Sequence, residues 1–239
     1  MNNNLVVKVI CRACFCTFSL VTILFITGFF SLDGHDTVTF NEDMVYYYTN
    51  LSNYLCFGVM IACLADDAKQ LSAGILRGHT RSPLLMHLKY VATLAITVTF
   101  LAYGLLLSDP TSLSFWNNLP NVCYHVACPV FFILDTLILD EHKRVGFLDP
   151  ILALALPAVY VLVIELMGAQ TGRYPYFFLD KNQLGAGGLA IWLLVLLAVF
   201  LTLGYLLFLY DKLVKKDGAW RLDFSHTPAL GIMRKQNKR

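Results

Sequence analysis

Six long stretches of this chain contain no acidic or basic residue, and the charged residues lie almost entirely between them. The stretches are 15 to 29 residues long. A helix needs ~20 mostly apolar residues to cross a bilayer, and only helices and closed barrels satisfy all backbone polar groups in lipid. The stretches are continuously apolar, which disfavours a barrel built from alternating strands of ~10 residues. The sequence therefore predicts an all-α polytopic membrane protein.

Composition agrees with a bundle of six transmembrane helices. Hydrophobic residues make up 57% of the chain and charged residues 14%, and the mean hydropathy is +0.62. Soluble domains carry ~25% charged residues. We expect helices at residues 10–32, 45–65, 84–107, 119–139, 150–168 and 185–210. No connection is long enough for a soluble domain, so we expect one transmembrane domain over 1–210 and a basic tail over 211–239.

The basic residues are divided very unequally between the two sides of this predicted bundle. Sixteen lie on the side of both termini, and only Arg173 and Lys181 lie on the other. The positive-inside rule then predicts cytoplasmic termini and outer loops at 33–44, 109–118 and 169–184. The first stretch is longer than the apolar region of a typical signal peptide and has no clear cleavage site, so we interpret it as a membrane helix.

The seven cysteines do not indicate a disulfide framework, because their number is odd and most lie inside predicted helices. Cys11, Cys14 and Cys16 form a cluster at the start of the first helix. In lipid, such small residues favour close packing between helices. Palmitoylation of a cysteine near the membrane surface is the alternative. A single intramembrane histidine argues against a zinc site, which needs about three protein ligands. We expect neither a metal nor an organic cofactor.

Few ionisable side chains fall inside the predicted spans, and three of them are functional candidates because lipid excludes charge: His125, Asp135 and Glu165. His125 and Thr49 each lie about five residues inside a helix that enters from the outer side, at a depth of ~8 Å. Asp135 lies ~15 Å deeper than His125, towards the cytoplasmic side. The equal depth predicts that Thr49 and His125 occupy one layer below the outer interface.

A hydroxyl and an imidazole are the minimum requirement for acyl transfer, since the imidazole takes the hydroxyl proton as the hydroxyl oxygen attacks a carbonyl. Asn53 follows Thr49 on the same helical face, and Asn121 precedes His125 by one turn. A structural role competes with this hypothesis. Threonine often bonds its own helix, and a lone histidine often links two helices.

The predicted outer loop is rich in aromatic residues and reads TGRYPYFFLD. It includes Tyr174 and Asp180. Such residues are common interface anchors, but the loop could also cover a Thr49/His125 pocket, with Asp180 or Arg173 contacting a lipid carboxylate. Tyr48, in the YYYTNLSN entry of the second helix, could stabilise an oxyanion or belong to the interfacial belt of aromatic residues.

Three motifs together resemble those of a known family. They are YYYTNLSN, the run from Trp116 through His125 to Pro129, and GRYPYFFLD. Over roughly residues 10–210 the chain resembles the androgen-induced gene family of six-span membrane proteins, particularly its bacterial branch. The resemblance implies a threonine hydrolase that cleaves fatty acid esters of hydroxy fatty acids. Its intramembrane threonine and histidine correspond to Thr49 and His125.

The sequence therefore predicts an intramembrane hydrolase of lipid esters in a bacterial cell membrane. Thr49 is the predicted nucleophile and His125 the predicted base. The predicted supporting residues are Asn53, Asn121, Tyr48, Tyr174, Asp180 and Glu165. The predicted partner is a lipid ester from the bilayer, and no nucleic acid is expected.

Two alternatives remain at this point. The first is a transporter in which His125, Glu165 and Asp135 line a path, and the second is a non-catalytic membrane scaffold that uses the same polar residues as helix contacts. The sequence contains no signal for the oligomeric state.

Overall fold

The computed structural model describes residues 3–27, 43–73, 81–108, 118–140 and 145–214. These ranges form helices and contain no β-strand. The helices are α1 (Asn3–Ile26), α2 (Asp43–Tyr46), α3 (Tyr48–Ser72), α4 (Pro83–Leu107), α5 (Leu119–Leu139), α6 (Asp149–Thr171) and α7 (Lys181–Leu213). All except α2 are long and apolar enough to cross a membrane. The predicted six-helix membrane bundle is confirmed; the tail after Val214 and most of loops 33–44 and 109–118 lie outside the described residues.

Side-chain contacts show that successive helices run in opposite directions. At one end, called the Thr49 end, the Tyr46 hydroxyl donates to the carbonyl of Arg173. At the same end the Asn121 amide donates to the Tyr103 hydroxyl at 2.6 Å. These bonds bring together the starts of α3 and α5 with the ends of α4 and α6. The opposite end, called the Arg12 end, is held by ion pairs.

The core of the described residues has three parts: two include residues of α4, and the third joins Tyr160 of α6 with Tyr176 and with Leu189 of α7. In the first part, Phe15 of α1 and Phe132 of α5 pack against α3 and α4. In the second part, Tyr90 of α4 packs with Phe200 of α7 and Ala153 of α6. The Tyr90 hydroxyl donates to the Gly204 carbonyl at 2.8 Å, and a Cβ at Gly204 would lie 3.1 Å from Pro150. This glycine therefore permits the close approach of α7 to α4 and α6, as small residues do in membrane helix packing.

Several helix boundaries differ from the sequence prediction for one reason: charged residues do not mark the helix ends. Helix α1 begins at Asn3 rather than near residue 10, and Arg12 is buried inside the bundle. Helix α3 continues to Ser72, beyond the predicted end at 65. Its last turns carry Asp67, which is also buried. These charges are compatible with the protein interior because they neutralise one another.

A network of buried ion pairs joins four segments at the Arg12 end. Its members are Arg12, Arg81, Lys89, Asp67, Asp135 and Asp140. The Arg12 guanidinium lies 2.5 Å from Asp67 and 3.0 Å from Asp135, and the Lys89 ammonium lies 2.5 Å from Asp135. Removing one partner of such a pair costs ~3–5 kcal/mol, because the other charge stays buried alone. The network therefore fixes α1, α3, α4 and the end of α5 relative to one another.

Helices α4 and α5 contain π-helical turns, at Tyr103–Leu107 in α4 and at Cys123–Ala127 and Asp135–Leu139 in α5. Such turns are rare and occur frequently at functional sites. The turn Cys123–Ala127 contains His125. The backbone is therefore irregular at His125, one of the two residues predicted to be catalytic.

Candidate active site

Thr49 lies in the first turn of α3, where backbone N–H groups have no partner within the helix. Tyr47 precedes the helix and makes no side-chain cap. Two phenol groups from elsewhere in the chain take over that role: the N–H of Tyr48 donates to the Tyr160 hydroxyl at 3.2 Å, and the N–H of Thr49 donates to the Tyr176 hydroxyl at 3.4 Å. Helix starts need such acceptors, especially where water is absent. Thr49 is consequently held against Tyr176.

Thr49 lines an apolar cavity of about 450 Å³ between α3, α4, α6, α7 and the loop before α7. Fourteen of the twenty lining residues are apolar. The polar ones are Tyr48, Thr49, Thr99, Tyr160, Glu165 and Tyr176. Three lining leucines, Leu107, Leu162 and Leu197, are also exposed on the bundle surface, so the cavity extends to a surface that lipid would cover. Its size and composition suit part of an acyl chain.

The loop after α6 closes one side of this cavity through residues other than those singled out from the sequence. Tyr176 and Phe178 line the cavity, and their rings stack at 5.0 Å. Tyr174 is not among the lining residues; its ring lies against Gly168, where a Cβ would come within 2.3 Å. Asp180 caps α7 by accepting the N–H groups of Asn182 and Gln183. In the structure, Tyr174 therefore packs against Gly168, and Asp180 caps α7.

His125 is not among the residues that line this cavity, and no other residue of α5 lines it. Its imidazole stacks on the Tyr103 ring with 3.6 Å between centroids, and Asn121 bonds the hydroxyl of that tyrosine. The Nδ1 atom is buried and has no hydrogen-bond partner among the residues that the structure describes. No hydrogen bond joins His125 to Thr49 within the described part of the chain.

The neighbours of the two predicted catalytic residues do meet. The Tyr124 hydroxyl donates to the side-chain oxygen of Asn50 at 3.0 Å. The starts of α3 and α5 therefore lie at similar depths, as the residue spacing indicated. The depth of a residue does not define the direction in which its side chain points around the helix axis. In the structure, Thr49 contacts Tyr176 and His125 contacts Tyr103.

The other predicted residues have distinct environments. Asn53 is buried, and its amide donates to the Thr49 carbonyl at 2.9 Å. Tyr48 lines the cavity, and its buried hydroxyl has no partner in the described ranges. Glu165 also lines the cavity, and one buried oxygen of its carboxyl group likewise has no partner in those ranges. Buried polar atoms are nearly always paired, so these two mark a place where a ligand could bind.

Asp135 lies at the Arg12 end of the bundle, away from this site. It is paired with Arg12 and Lys89 in the ion network of the Arg12 end. The hypothetical path through His125, Glu165 and Asp135 would therefore have to break two buried ion pairs. In the described residues, no group of three or more histidine, cysteine or acidic residues is arranged to hold a metal ion.

Sequence reasoning missed Tyr160 and Tyr176, the two residues that bond the start of α3. A signal was present, because the YYYTNLSN entry has no residue suited to cap a helix by its side chain at the position before Tyr48. The missing cap required acceptors from distant segments. Which tyrosines supply them depends on the tertiary fold.

Searches against protein-family models, curated proteins and solved structures found no match to this chain. The family resemblance therefore rests on the motifs quoted above.

Proposed function

We propose that the protein is an intramembrane hydrolase of lipid esters in which Thr49 is the nucleophile and His125 is the general base. One observation supports this most: the predicted nucleophile lines an apolar cavity that extends to the lipid-facing surface. An ester dissolved in the bilayer could enter such a cavity directly. Fatty acid esters of hydroxy fatty acids are the substrate class that the motif resemblance suggests.

The reaction would proceed in two steps. The Thr49 Oγ1 atom attacks the ester carbonyl and gives its proton to His125, which then protonates the departing alcohol. Water deprotonated by His125 attacks the acyl-threonine, the bond to the Thr49 oxygen breaks, and His125 returns the proton to that oxygen as the fatty acid is released. The unpartnered Nδ1 of His125 is available as a base. Because no bond joins it to Thr49, the mechanism requires the imidazole to approach when substrate binds, as catalytic groups often do.

Purified protein assayed with a panel of lipid esters tests this proposal. Thr49→Ala and His125→Ala should each abolish hydrolysis, and the double variant should be little worse than either, because a nucleophile and its base act as a unit. Thr49→Ser should retain part of the activity because it keeps the hydroxyl. Full hydrolysis by Thr49→Ala would eliminate the threonine mechanism.

We further propose that the Arg12 end faces the cytoplasm and the Thr49 end faces outward in a bacterial cell membrane. The support is the division of basic residues, sixteen against two. A reporter that is active only in the cytoplasm, fused after Arg239, should be active. Activity of a reporter that works only outside the cytoplasm would contradict this orientation.

Transport is the second candidate, and one observation favours it. A second cavity of about 390 Å³ lies at the Arg12 end, with Lys89, Asp149 and Asp211 in its wall. Residues of α4 and α7 line both cavities. Leu94 of α4 and Phe200 of α7 pack together in the core of the bundle. Uptake of a solute by proteoliposomes, unchanged in Thr49→Ala, would favour transport over hydrolysis.

A further inference from the structure

Tyr176 is the polar side chain most closely associated with Thr49 on the cavity wall. Its hydroxyl accepts the Thr49 N–H at 3.4 Å. The Tyr176 ring is fixed by stacking on Phe178 at 5.0 Å and by an edge contact with Tyr47 at 5.9 Å. The side chain is 7% exposed. Its hydroxyl is therefore held in place before any ligand binds.

The Tyr176 hydroxyl is able to donate a hydrogen bond into the site. Among the described residues, the geometric hydrogen bond of this hydroxyl is the one it accepts from the Thr49 N–H, and that bond leaves the phenol proton for another acceptor. Burial raises the pKa of the Tyr176 phenol, and hydrogen bonds from Thr49 only partly oppose that effect. The phenol consequently keeps its proton at neutral pH.

Attack by Thr49 would place negative charge close to this phenol. The carbonyl oxygen of the ester shares its carbon atom with the newly bonded Oγ1, so the developing oxyanion must lie within a few ångströms of Thr49. The start of α3 adds a favourable field, because the N-terminus of a helix stabilises negative charge. Tyr48 also lines the cavity, and its buried hydroxyl has no hydrogen-bond partner among the described residues.

We propose that Tyr176 is a catalytic residue that donates a hydrogen bond to the oxyanion formed when Thr49 attacks an ester, with the Tyr48 hydroxyl as the second donor. This inference rests on the proposed function. No atom is transferred to or from Tyr176: its O–H bond stays intact while the carbonyl π electrons move to oxygen and the Thr49 proton moves to His125. The site is thus specific for a carbonyl group at the end of an apolar chain.

Tyr176→Phe is the appropriate test because it removes one oxygen atom and keeps the ring that packs against Phe178. Removing a single oxyanion donor typically lowers kcat ~10²–10³-fold. We expect such a loss with KM changed by less than about twofold, because the bond forms fully only in the transition state. Tyr205→Phe is the matched control; this tyrosine lies on α7 beside Phe147 and Phe208, outside the cavity lining, and its change should leave kcat as in the wild type.

A binding measurement separates catalysis from a structural role. A long-chain trifluoromethyl ketone forms a tetrahedral adduct with a nucleophilic hydroxyl, whereas a fatty alcohol of the same length does not. Tyr176→Phe should weaken binding of the ketone at least tenfold and leave the affinity for the alcohol unchanged. Equal weakening of both ligands would mean that Tyr176 only shapes the cavity, and would overturn the inference.

The possible outcomes also distinguish this inference from the proposed function. An active wild type whose Tyr176→Phe variant keeps its kcat within twofold overturns the role of Tyr176 and leaves the hydrolase standing. A wild type that hydrolyses no ester of the panel and does not bind the ketone more tightly than the alcohol overturns both.

Discussion

Glu165 places a carboxyl group in the wall of a cavity that is otherwise mostly apolar. One of its oxygens is buried without a partner, and no hydrogen bond joins it to His125 in the described residues. It is therefore not arranged to orient the imidazole. Its main effect should be on which substrates enter, because a carboxylate repels a second carboxylate in a site of low polarity.

Glu165→Gln should change the hydrolysis of neutral esters by less than about threefold. The same variant should hydrolyse esters with a free carboxylate faster than the wild type, because the like-charge repulsion is removed. The measurement is kcat/KM for a matched pair of substrates, a hydroxy fatty acid ester and its methyl ester. Glu165→Asp, which keeps the charge, is the control. A strong loss on both substrates would instead give Glu165 a part in the chemistry.

Among the structural elements, the loop between α6 and α7 depends on close packing at its start. Helix α6 ends with Gly172 in the left-handed conformation at φ 72°, and Tyr174 then returns across Gly168. A Cβ at Gly168 would come within 2.3 Å of the Tyr174 ring. The absence of a side chain at this position thus allows the loop to turn back and bring Tyr176 to Thr49.

Gly168→Ala should lower the unfolding temperature and also reduce ester hydrolysis, because the displaced loop carries Tyr176. Overpacking of this kind costs ~1–3 kcal/mol, which exceeds the ~1 kcal/mol that alanine gains over glycine in a helix. Thermal unfolding in detergent measures the first effect. Gly58→Ala is the control, since a Cβ at that helical position meets nothing within 4 Å. An unchanged unfolding temperature in Gly168→Ala would contradict the proposed packing of the loop.

At the scale of the whole molecule, the ion network makes stability depend on pH. Burial by itself would raise the pKa of Asp140, but the three cations of the network outweigh it and hold that pKa below its ordinary value. A carboxyl group that is more acidic in the folded state gives its full stabilisation above its unfolded pKa of ~3.9. That stabilisation is lost as the pH falls further, through the folded-state pKa.

The unfolding temperature should therefore be nearly constant between about pH 8 and pH 5 and should fall at lower pH. Asp140→Asn should lower it at neutral pH, as expected from the ~3–5 kcal/mol cost of breaking a buried ion pair, and should reduce its dependence on pH. Lys212→Gln is the control, because Lys212 is 41% exposed and lies 3.6 Å from Asp211, so its loss should cost at most ~1 kcal/mol. An equal effect of both variants would contradict the structural role of the network.

The sequence predicted the number and approximate positions of the spans because lipid imposes a length and a polarity on each one. It did not predict that Arg12 is buried, because a charge at a span boundary and a charge neutralised by a distant partner look alike in sequence. It predicted the depths of Thr49 and His125 from the helical rise. It did not predict Tyr176 as the neighbour of Thr49, because a depth carries no information about helix rotation.

The central claim, that Thr49 is a nucleophile, is tested most directly by covalent labelling. The protein is incubated in lipid with a long-chain fluorophosphonate, which phosphonylates activated hydroxyls, and the modified peptide is identified by mass spectrometry. We expect the adduct on Thr49 in the wild type and no adduct in Thr49→Ala. A wild type that stays unlabelled while a serine hydrolase in the same lipid is labelled, or a label that persists on another residue of Thr49→Ala, would contradict the claim.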